Sequence, residues 1–379
     1  MHEVVIVDGV RTPIGRASKD KGYYRDIRAD DLATVCVRRL LEKNPKINPA
    51  EIEDVVWGCA NQTGEQGFNV GRMIGLLSGL AVEVAGTTVD RQCGSSLQAV
   101  NFAAQAIMTG AGDIAIAGGV EHMTHIPMGS GLSPNPKLLD LFPRDMFFMG
   151  LTAERLAEMY KITREQADAF SLRSNQRAIT ARDRFREEMV PVKLPDGAIV
   201  EIDQGPRADT SLEKLAALQP SFKPGGQVTA GNSSQISDGA AAVILMNAQR
   251  ARDLGIKPMA KIRATAVAGV RPEIMGWGPV PSTHKALKRA GLSLKDIALF
   301  EINEAFAAQV LACNTELKID EEKLNLNGGA VALGHPLGCS GVRLMVTLTH
   351  EMCRRGAALG VATMCIGMGQ GIATVVELI

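Results

Sequence analysis

The chain has 379 residues and no net formal charge, because 41 Lys and Arg balance 41 Asp and Glu, and 46% of its residues are hydrophobic. At roughly 150 residues per domain, this length has room for two or three domains. The charge balance argues against nucleic acid as the main partner, since binding to phosphates needs an excess of basic side chains. The hydrophobic content excludes a disordered chain.

Cysteine usage and the apolar runs indicate the cellular compartment. The seven cysteines are odd in number and contain no Cys-x-x-Cys pair, which is typical of free thiols in a reducing compartment. The first nine residues predict a strand ending in a turn rather than a signal peptide. No apolar run approaches the ~20 residues that span a bilayer. We therefore expect a cytoplasmic protein with no transmembrane segment.

Strands and helices alternate in the first 120 residues. A capped helix between two strands is typical of a layered α/β domain. Periodicity predicts strands at residues 3–7, 52–58, 87–90 and 113–117, and helices at 31–41 and 95–109.

The middle of the chain has a different pattern. Loops rich in Gly, Pro and Met precede a helix predicted at 163–186 and then extended segments punctuated by Pro. We interpret residues 121–236 as an insertion, which commonly carries ligand contacts.

The last 120 residues repeat the pattern of the first. Strands are predicted at 297–302, 324–326 and 359–365, and a helix at 340–352. A shift of 246 positions brings Cys93 onto Cys339 and Gly110 onto Gly356. Chance similarity between two α/β segments is the alternative to a duplicated domain. The duplication predicts an N-terminal half at 1–120, completed by about 237–256, and a C-terminal half at 257–379.

Cys93 is the first candidate for chemistry. It lies between a predicted strand and a predicted helix, where free N–H groups and the helix dipole favour a thiolate. Gly94 lets a substrate approach the backbone closely. The alternative is a buried structural cysteine.

Three further residues extend this candidate site. His335 lies in a glycine-rich loop, where a neutral imidazole could take the thiol proton; the alternative is a hydrogen-bonded loop histidine. Cys365 ends a predicted strand, and a second thiol there could act as an acid and base, although the Gly-Met-Gly that follows superficially resembles a phosphate loop. Asn303 also follows a strand and could orient a water or donate to an oxyanion, or could simply be a helix N-cap.

The pair His122 and His125 has an H-x-x-H spacing. No Glu stands where a metalloprotease needs one, so we expect no metal site there.

Four motifs in order carry a family resemblance. They are CGSS from Cys93, NEAF from Asn303, GHP from Gly334 and CIGMG from Cys365. Together they resemble the thiolase family over the whole chain, and within it the bacterial 3-ketoacyl-CoA thiolases of fatty-acid β-oxidation. The resemblance implies an α/β fold with two duplicated βαβαβαββ halves in a layered αβαβα arrangement and an inserted loop domain.

The resemblance also implies roles for the motif residues. Cys93 would attack the C3 ketone of a 3-ketoacyl-CoA, His335 would accept its proton, and Cys365 would protonate the acetyl-CoA carbanion. A water held by Asn303 would stabilise the enolate. The backbone N–H groups of Cys93 and Gly367 would stabilise the tetrahedral oxyanion.

Coenzyme A would then be a co-substrate, with no permanently bound cofactor. The resemblance places Arg207 beside its adenine, Ser234 along its pantetheine, and Met149 and Phe306 near the thioester. Some short-chain thiolases have a histidine before the Met-Gly pair, whereas Phe148 stands here. This difference favours longer acyl chains, with plain packing of Phe148 as the alternative.

Three other functions compete with 3-ketoacyl-CoA thiolysis. An acetyl-CoA acetyltransferase would perform the same chemistry on acetoacetyl-CoA alone. A ketoacyl synthase would use one Cys and two His, and a non-catalytic CoA-thioester-binding protein would have lost a reactive group. The partners we expect are CoA, its 3-ketoacyl thioesters and a second copy of the chain, as a homodimer or homotetramer. Some relatives also join a hydratase/dehydrogenase subunit.

Overall fold

The computed structural model describes residues 1–379, and one mixed sheet of ten strands crosses the molecule beside a separate two-stranded hairpin of β6 and β7. The strands are β1 (Val4–Arg11), β2 (Gly15–Arg16), β3 (Asp54–Gly58), β4 (Ala85–Val89), β5 (Ile114–His122), β6 (Val192–Lys193), β7 (Ile199–Val200), β8 (Ser237–Asn247), β9 (Ala260–Gly269), β10 (Leu299–Ile302), β11 (Leu359–Ile366) and β12 (Gln370–Leu378). The helices are α1 (Ala29–Lys43), α2 (Val70–Leu77), α3 (Ser95–Met108), α4 (Met149–Tyr160), α5 (Arg164–Thr180), α6 (Arg182–Phe185), α7 (Leu212–Ala216), α8 (Ala248–Asp253), α9 (Pro279–Ala290), α10 (Ala307–Leu317), α11 (Ala330–Leu333) and α12 (Leu337–Arg355).

The strand order repeats on the two sides of the sheet. Outward from the centre it runs β1, β8, β5, β3, β4 on one side and β9, β12, β11, β10 on the other. In each half the two inner pairings are antiparallel and the next, β5 with β3 or β11 with β10, is parallel. β1 and β9 join the halves through only two residue pairs. The predicted duplication is confirmed by this shared topology.

The two halves of the sheet and three groups of helices form five layers, and three apolar clusters fill the space between them. One lies between α1, α2 and the N-terminal half of the sheet, and one between α9, α10 and the C-terminal half. The third holds α3 and α12 between the two halves. Along β5, Ile114 and Ile116 face the first cluster while Ala115 and Ala117 face α3 and α12. This alternation, which has the two-residue period of a strand, confirms the αβαβα layering.

Small residues let α3 and α12 enter the middle layer closely. A side chain at Gly58 would collide with the backbone of Ser95 and Ser96 at the start of α3. A side chain at Gly341 would collide with Leu97. The N-terminal ends of both central helices therefore meet in the middle layer, beside the end of β3.

Several boundaries differ from the sequence predictions. The first strand does not turn at Gly9 but continues to Arg11, with a register shift between Ile6 and Asp8 that absorbs the Asp-Gly pair. Residues 324–326 form no strand, because Leu324 makes only a single bridge to Phe300. The helix predicted at 163–186 ends at Thr180 and a separate short helix follows. No helix has both the length and the apolar character that crossing a membrane would need.

Candidate active site

The turn that carries Cys93 joins the edge strand β4 to α3. It is a short 3-10 turn of Gln92–Gly94, and it packs against both α12 and the end of β11. Gln92 has a left-handed backbone with φ of 46°, a conformation that costs a non-glycine residue energy and is concentrated at functional sites. Gly94 has no room for a side chain, because a Cβ there would collide with Ile366.

The thiol of Cys93 is protonated in the resting protein. Burial raises the pKa of Cys93 to about 11, although the N–H groups of Gly367 and of Cys93 itself hydrogen-bond the sulfur and oppose that rise. The nearby N–H groups do favour the thiolate, as the sequence predicts, but desolvation outweighs their effect on the pKa of Cys93. The same two N–H groups are those that the resemblance assigns to the oxyanion.

Gly367 lies in the loop of the hairpin formed by β11 and β12. Met368 and Gly369 follow it with left-handed backbones, at φ of 62° and 79°, so the loop aims the Gly367 N–H back at Cys93. A side chain at Gly367 would collide with the Gln92 amide. Strand β12, not a helix, follows this loop. A phosphate loop leads into the N-terminus of a helix, so this loop does not have the structure of one.

The hydrogen bonds of His335 assign its tautomer. Its Nδ1 lies 2.6 Å from the hydroxyl oxygen of Ser340, and that hydroxyl donates its one proton to the carbonyl of Pro336 at 2.8 Å. Ser340 must therefore accept from Nδ1–H, which leaves the lone pair on Nε2. Burial, and next the positive charge of Arg343, lower the pKa of His335 to about 3. The imidazole is neutral, and Nε2 carries the lone pair that a base needs.

Asn303 is the partner of that nitrogen. Its Nδ2 lies 3.3 Å from Nε2 of His335, and its Oδ1 is buried with no protein partner. Asn303 follows directly after β10, so the end of this strand brings the amide to the imidazole. The structure thus pairs two of the residues that the sequence singled out.

Cys365 is the second-last residue of β11 and is fully buried. Burial raises its pKa well above the ordinary value, and the nearby sulfur of Cys93 adds to this rise. Cys365 packs in one apolar cluster with Phe306 and Met149. The two thiols and these apolar side chains therefore share one region at the end of the sheet.

A cleft lies mostly between residues of the segment that the sequence predicts as an insertion. Its volume is about 160 Å³ and its walls include Arg207, Lys214, Gly231 and Gln235. The backbone of Ser234 donates to the carbonyl of Ala305, inside the NEAF motif. Gln235 in turn accepts the N–H of His335 through its carbonyl. The segment of Ser234 and Gln235 therefore links the wall of the cleft to the backbone of His335.

Two polar residues of the site escaped the sequence analysis. Ser340 orients His335, and its position five residues after the histidine gives no helical or strand periodicity that would mark it. Glu121 is fully buried beneath the His335 loop, and only its unusual place in an apolar strand could have drawn attention to it.

The H-x-x-H pair forms a hydrogen-bonded cluster. His122 donates Nε2–H to Tyr24, and its Nδ1 accepts from the backbone of His125. His125 contacts the Glu65 carboxylate through Nδ1 at 2.9 Å and the carbonyl of Arg25 through Nε2 at 2.8 Å. Both partners of His125 are hydrogen-bond acceptors, and these bonds raise the pKa of the ring against the effect of burial. The structure brings Glu65 within 4.8 Å of the ligand atoms of both histidines, a carboxylate that the H-x-x-H spacing alone did not reveal.

Comparisons with known proteins agree with this geometry. Residues 4–249 match the model "Thiolase, N-terminal domain" and residues 256–378 match "Thiolase, C-terminal domain". The chain is 53% identical to a 3-ketoacyl-CoA thiolase of Marinobacter nauticus, covering 100% of this chain and 99% of the relative.

Two solved structures have nearly the same backbone over the whole chain. An acetyl-CoA acetyltransferase of Bacillus anthracis is 39% identical with a TM-score of 0.92, covering 100% of this chain and 99% of that one. Human mitochondrial 3-ketoacyl-CoA thiolase in complex with CoA is 38% identical with a TM-score of 0.92, covering 100% and 98%.

Proposed function

The chain belongs to the thiolase family, and we propose that Cys93, His335 and Cys365 perform its reaction. That reaction is thiolytic cleavage of a 3-ketoacyl-CoA by CoA, which gives acetyl-CoA and an acyl-CoA shortened by two carbons, as in fatty-acid β-oxidation. The observation that carries the residue assignment is the pair of N–H groups, from Cys93 and Gly367, directed at the Cys93 sulfur.

In the first half-reaction the Cys93 sulfur attacks the C3 carbonyl while Nε2 of His335 takes the thiol proton. The C2–C3 bond then breaks, which leaves the acyl chain on sulfur as a thioester and places the electron pair on C2 of the departing acetyl-CoA. Cys365 donates its proton to C2. Covalent catalysis of this kind divides one difficult step into two easier ones.

In the second half-reaction the Cys365 thiolate takes the proton of a fresh CoA thiol. The CoA sulfur attacks the acyl-Cys93 carbonyl, and the acyl-CoA leaves as Cys93 sulfur departs. The proton held by His335 returns to Cys93, so both residues end in their starting states. Every proton is therefore accounted for by the three side chains.

The resting pKa values suit this sequence of steps. Because the pKa of the Cys93 thiol lies far above that of the His335 imidazole, the neutral pair predominates until the C–S bond begins to form. Proton transfer is then part of the transition state, as in general base catalysis. Negative charge that develops on the C3 oxygen meets the N–H groups of Cys93 and Gly367, each of which is worth roughly 3–4 kcal/mol.

Coenzyme A occupies the cleft beside Arg207 in this proposal. Arg207 lies beside the adenine, Ser234 lies along the pantetheine, and Met149 and Phe306 flank the thioester. Arg207 and Gln235 line the same cleft, and the carbonyl of Gln235 accepts the backbone N–H of His335, which supports this placement. The human mitochondrial relative has been solved with CoA bound.

The relation to an acetyl-CoA acetyltransferase makes that activity the second candidate. The side chain of Phe148 stands before Met149 and is 49% exposed, and we propose that it favours acyl chains longer than acetoacetyl. Turnover of 3-ketoacyl-CoA substrates with four to sixteen carbons separates the two functions. Activity confined to the four-carbon substrate would assign the chain to the acetyltransferase.

We also propose a homo-oligomer in the cytoplasm. One of the two edge strands of the ten-stranded sheet is β4, which is partly exposed, and Phe68 nearby is 96% exposed. Pairing of two β4 edges would cover both features at once. Light scattering of the wild type and of Phe68→Glu tests this, since the variant should dissociate more readily. The seven free thiols suit a reducing compartment.

The decisive experiment is mass spectrometry after brief exposure to a 3-ketoacyl-CoA without free CoA. We expect a mass increase equal to the acyl chain, located on the peptide that contains Cys93, with release of acetyl-CoA. The Cys353→Ser variant is the matched control, because Cys353 is an exposed thiol remote from the site. An adduct on Cys365, or no adduct at all, would overturn the assignment.

A further inference from the structure

The side chain of Glu121 is fully buried and lies near the end of β5, on the strand face that looks into the middle layer. A side chain two residues earlier, at Gly119, would collide with Ser96 of α3 and with the carbonyl of Gly338 in α12. Glu121 is thus the next residue on a face already pressed against both central helices.

Five N–H groups converge on this one carboxylate. Oε2 accepts from the backbone of Ala60 at 3.0 Å and of Gly338 at 2.8 Å. Oε1 accepts from the backbone and the side-chain amide of Asn61, both at 3.1 Å, and from the side-chain amide of Gln66 at 2.9 Å. Burial raises the pKa of Glu121, and the bonds from Ala60, Gly338, Gln66 and Asn61 oppose that rise. Since all five groups are donors, a protonated oxygen would face an N–H group, and the ionised form fits this set.

The bond to Gly338 caps a helix from the other half of the molecule. Gly338 is in the first turn of α12, where backbone N–H groups have no partner within the helix. Pro336 at the N-cap supplies no side-chain cap, so Glu121 supplies the acceptor across the interface between halves. A carboxylate is also favoured there by the helix dipole.

The capped turn is the one that holds the imidazole. His335 directly precedes it, and Ser340 within it accepts from His335 Nδ1. On the other side, Asn61 and Gln66 belong to the segment after β3, the strand that pairs with β4, and β4 leads into the turn that carries Cys93. One buried anion therefore ties the half that carries the nucleophile to the loop that carries the base.

We propose that Glu121 is a positioning residue that fixes His335 relative to Cys93 by anchoring the first turn of α12 to the N-terminal half. This role rests on the proposed function of the two residues that it aligns. It acts through His335 and makes no contact with substrate. A displacement of about 1 Å in such a pair can cost about 100-fold in rate.

The test uses Glu121→Gln in the full-length protein. The amide keeps the size of the side chain, but its NH₂ group replaces one carboxylate oxygen and faces an N–H donor. The hydrogen bonds that this oxygen accepts are therefore lost. We expect kcat and the single-turnover rate of Cys93 acylation to fall about 10- to 100-fold, with KM within about two-fold. Glu53→Gln is the matched control, because Glu53 also accepts backbone N–H groups but lies at the opposite end of β3. The kcat of this variant should equal that of the wild type.

A double-mutant cycle separates positioning from general destabilisation. If Glu121 acts through His335, the acylation rate of Glu121→Gln/His335→Ala should equal that of His335→Ala within about two-fold. Multiplicative losses would overturn the proposal, and so would a Glu121→Gln variant with the kcat of the wild type.

Glu121→Asp covers the case in which the Gln variant does not fold. The shorter side chain keeps the charge but cannot reach both sides of the anchor, so we expect the same pattern of reduced kcat and retained KM. Wild-type kcat in that variant would refute the role. A wild-type protein that does not cleave 3-ketoacyl-CoA would instead refute the proposed function, so the two failures are distinguishable.

Discussion

The hydroxyl of Ser340 lies 2.6 Å from Nδ1 of His335 and determines which ring nitrogen carries the proton. Because the hydroxyl donates to Pro336, it accepts from the imidazole. The Ser340 oxygen has the same role as the buried acceptor that orients the histidine base of a hydrolytic triad.

Removing that hydroxyl should impair catalysis more than binding. In Ser340→Ala the Nδ1–H loses its buried acceptor and the ring is free to adopt the other tautomer. We expect kcat to fall about 10- to 100-fold with little change in KM. Thr349→Ala is the control, since Thr349 is another buried hydroxyl of α12 that donates to a carbonyl four residues earlier. Equal kcat values for the two variants would contradict the role of Ser340.

Replacing the nucleophile should abolish acyl transfer and leave the fold intact. Cys93→Ser differs by one atom, and the more basic oxygen of serine is a poor nucleophile next to an imidazole whose pKa is about 3. We expect no acyl adduct by mass spectrometry and an unchanged circular dichroism spectrum. Cys339→Ser, at the matching position of the repeat, tests whether any thiol in the middle layer is needed. Full activity of Cys93→Ser would rule out the covalent mechanism.

The reactivity of Cys93 should rise with pH over an unusually long range. With a pKa of about 11, its thiolate fraction increases roughly tenfold per pH unit until close to that value, whereas an unperturbed cysteine levels off near pH 9. Alkylation by iodoacetamide, followed by peptide mass spectrometry between pH 7 and 10, measures this. A plateau near pH 8 would show that the sulfur is a thiolate in the resting protein.

His125 should stabilise the fold at low pH and cease to do so at high pH. Its folded-state pKa is raised, so the stabilisation is fully present below the unfolded value of about 6.5 and is lost as the pH rises through the folded pKa. The difference in Tm between wild type and His125→Gln should therefore shrink as the pH increases. A difference that grows with pH would contradict the raised pKa of His125.

Arg207 should contribute to the affinity for CoA and little to the chemical step. Removing its side chain from the cleft wall in Arg207→Ala should raise the KM for CoA about tenfold, as expected for the loss of a charged contact. Single-turnover acylation by saturating 3-ketoacyl-CoA should change less than two-fold. Arg252→Ala, on the surface at α8, is the control. An unchanged KM would remove Arg207 from the binding site.

The sequence predicted the layered fold because its signals are local. The alternation of Ile and Ala along β5 and the spacing that aligns Cys93 with Cys339 are both visible without coordinates. Local signals failed where a few tertiary contacts decide the outcome. Leu324 and Leu326 alternate with the polar Asn325 as in a strand, yet only one bridge to Phe300 forms.

The electrostatics of the site were beyond reach of the sequence for the same reason. The position of Cys93 at a helix start favours a thiolate, but the burial that raises its pKa comes from the packing of β11 and α12 against the turn, which no local pattern reveals. Glu121 contacts residues 55 to 217 positions away in the chain, and no motif encodes such a meeting.

Cys93 and Cys339 occupy matching positions in the two repeats but differ in their exposure. Cys93 remains accessible, while Cys339 is only 1% exposed in the middle layer. In the proposed mechanism the first repeat supplies the nucleophile, and the second supplies the imidazole and the other reactive sulfur. Neither repeat alone holds all three of these groups, so the proposed reaction centre exists only where the two repeats meet within one polypeptide.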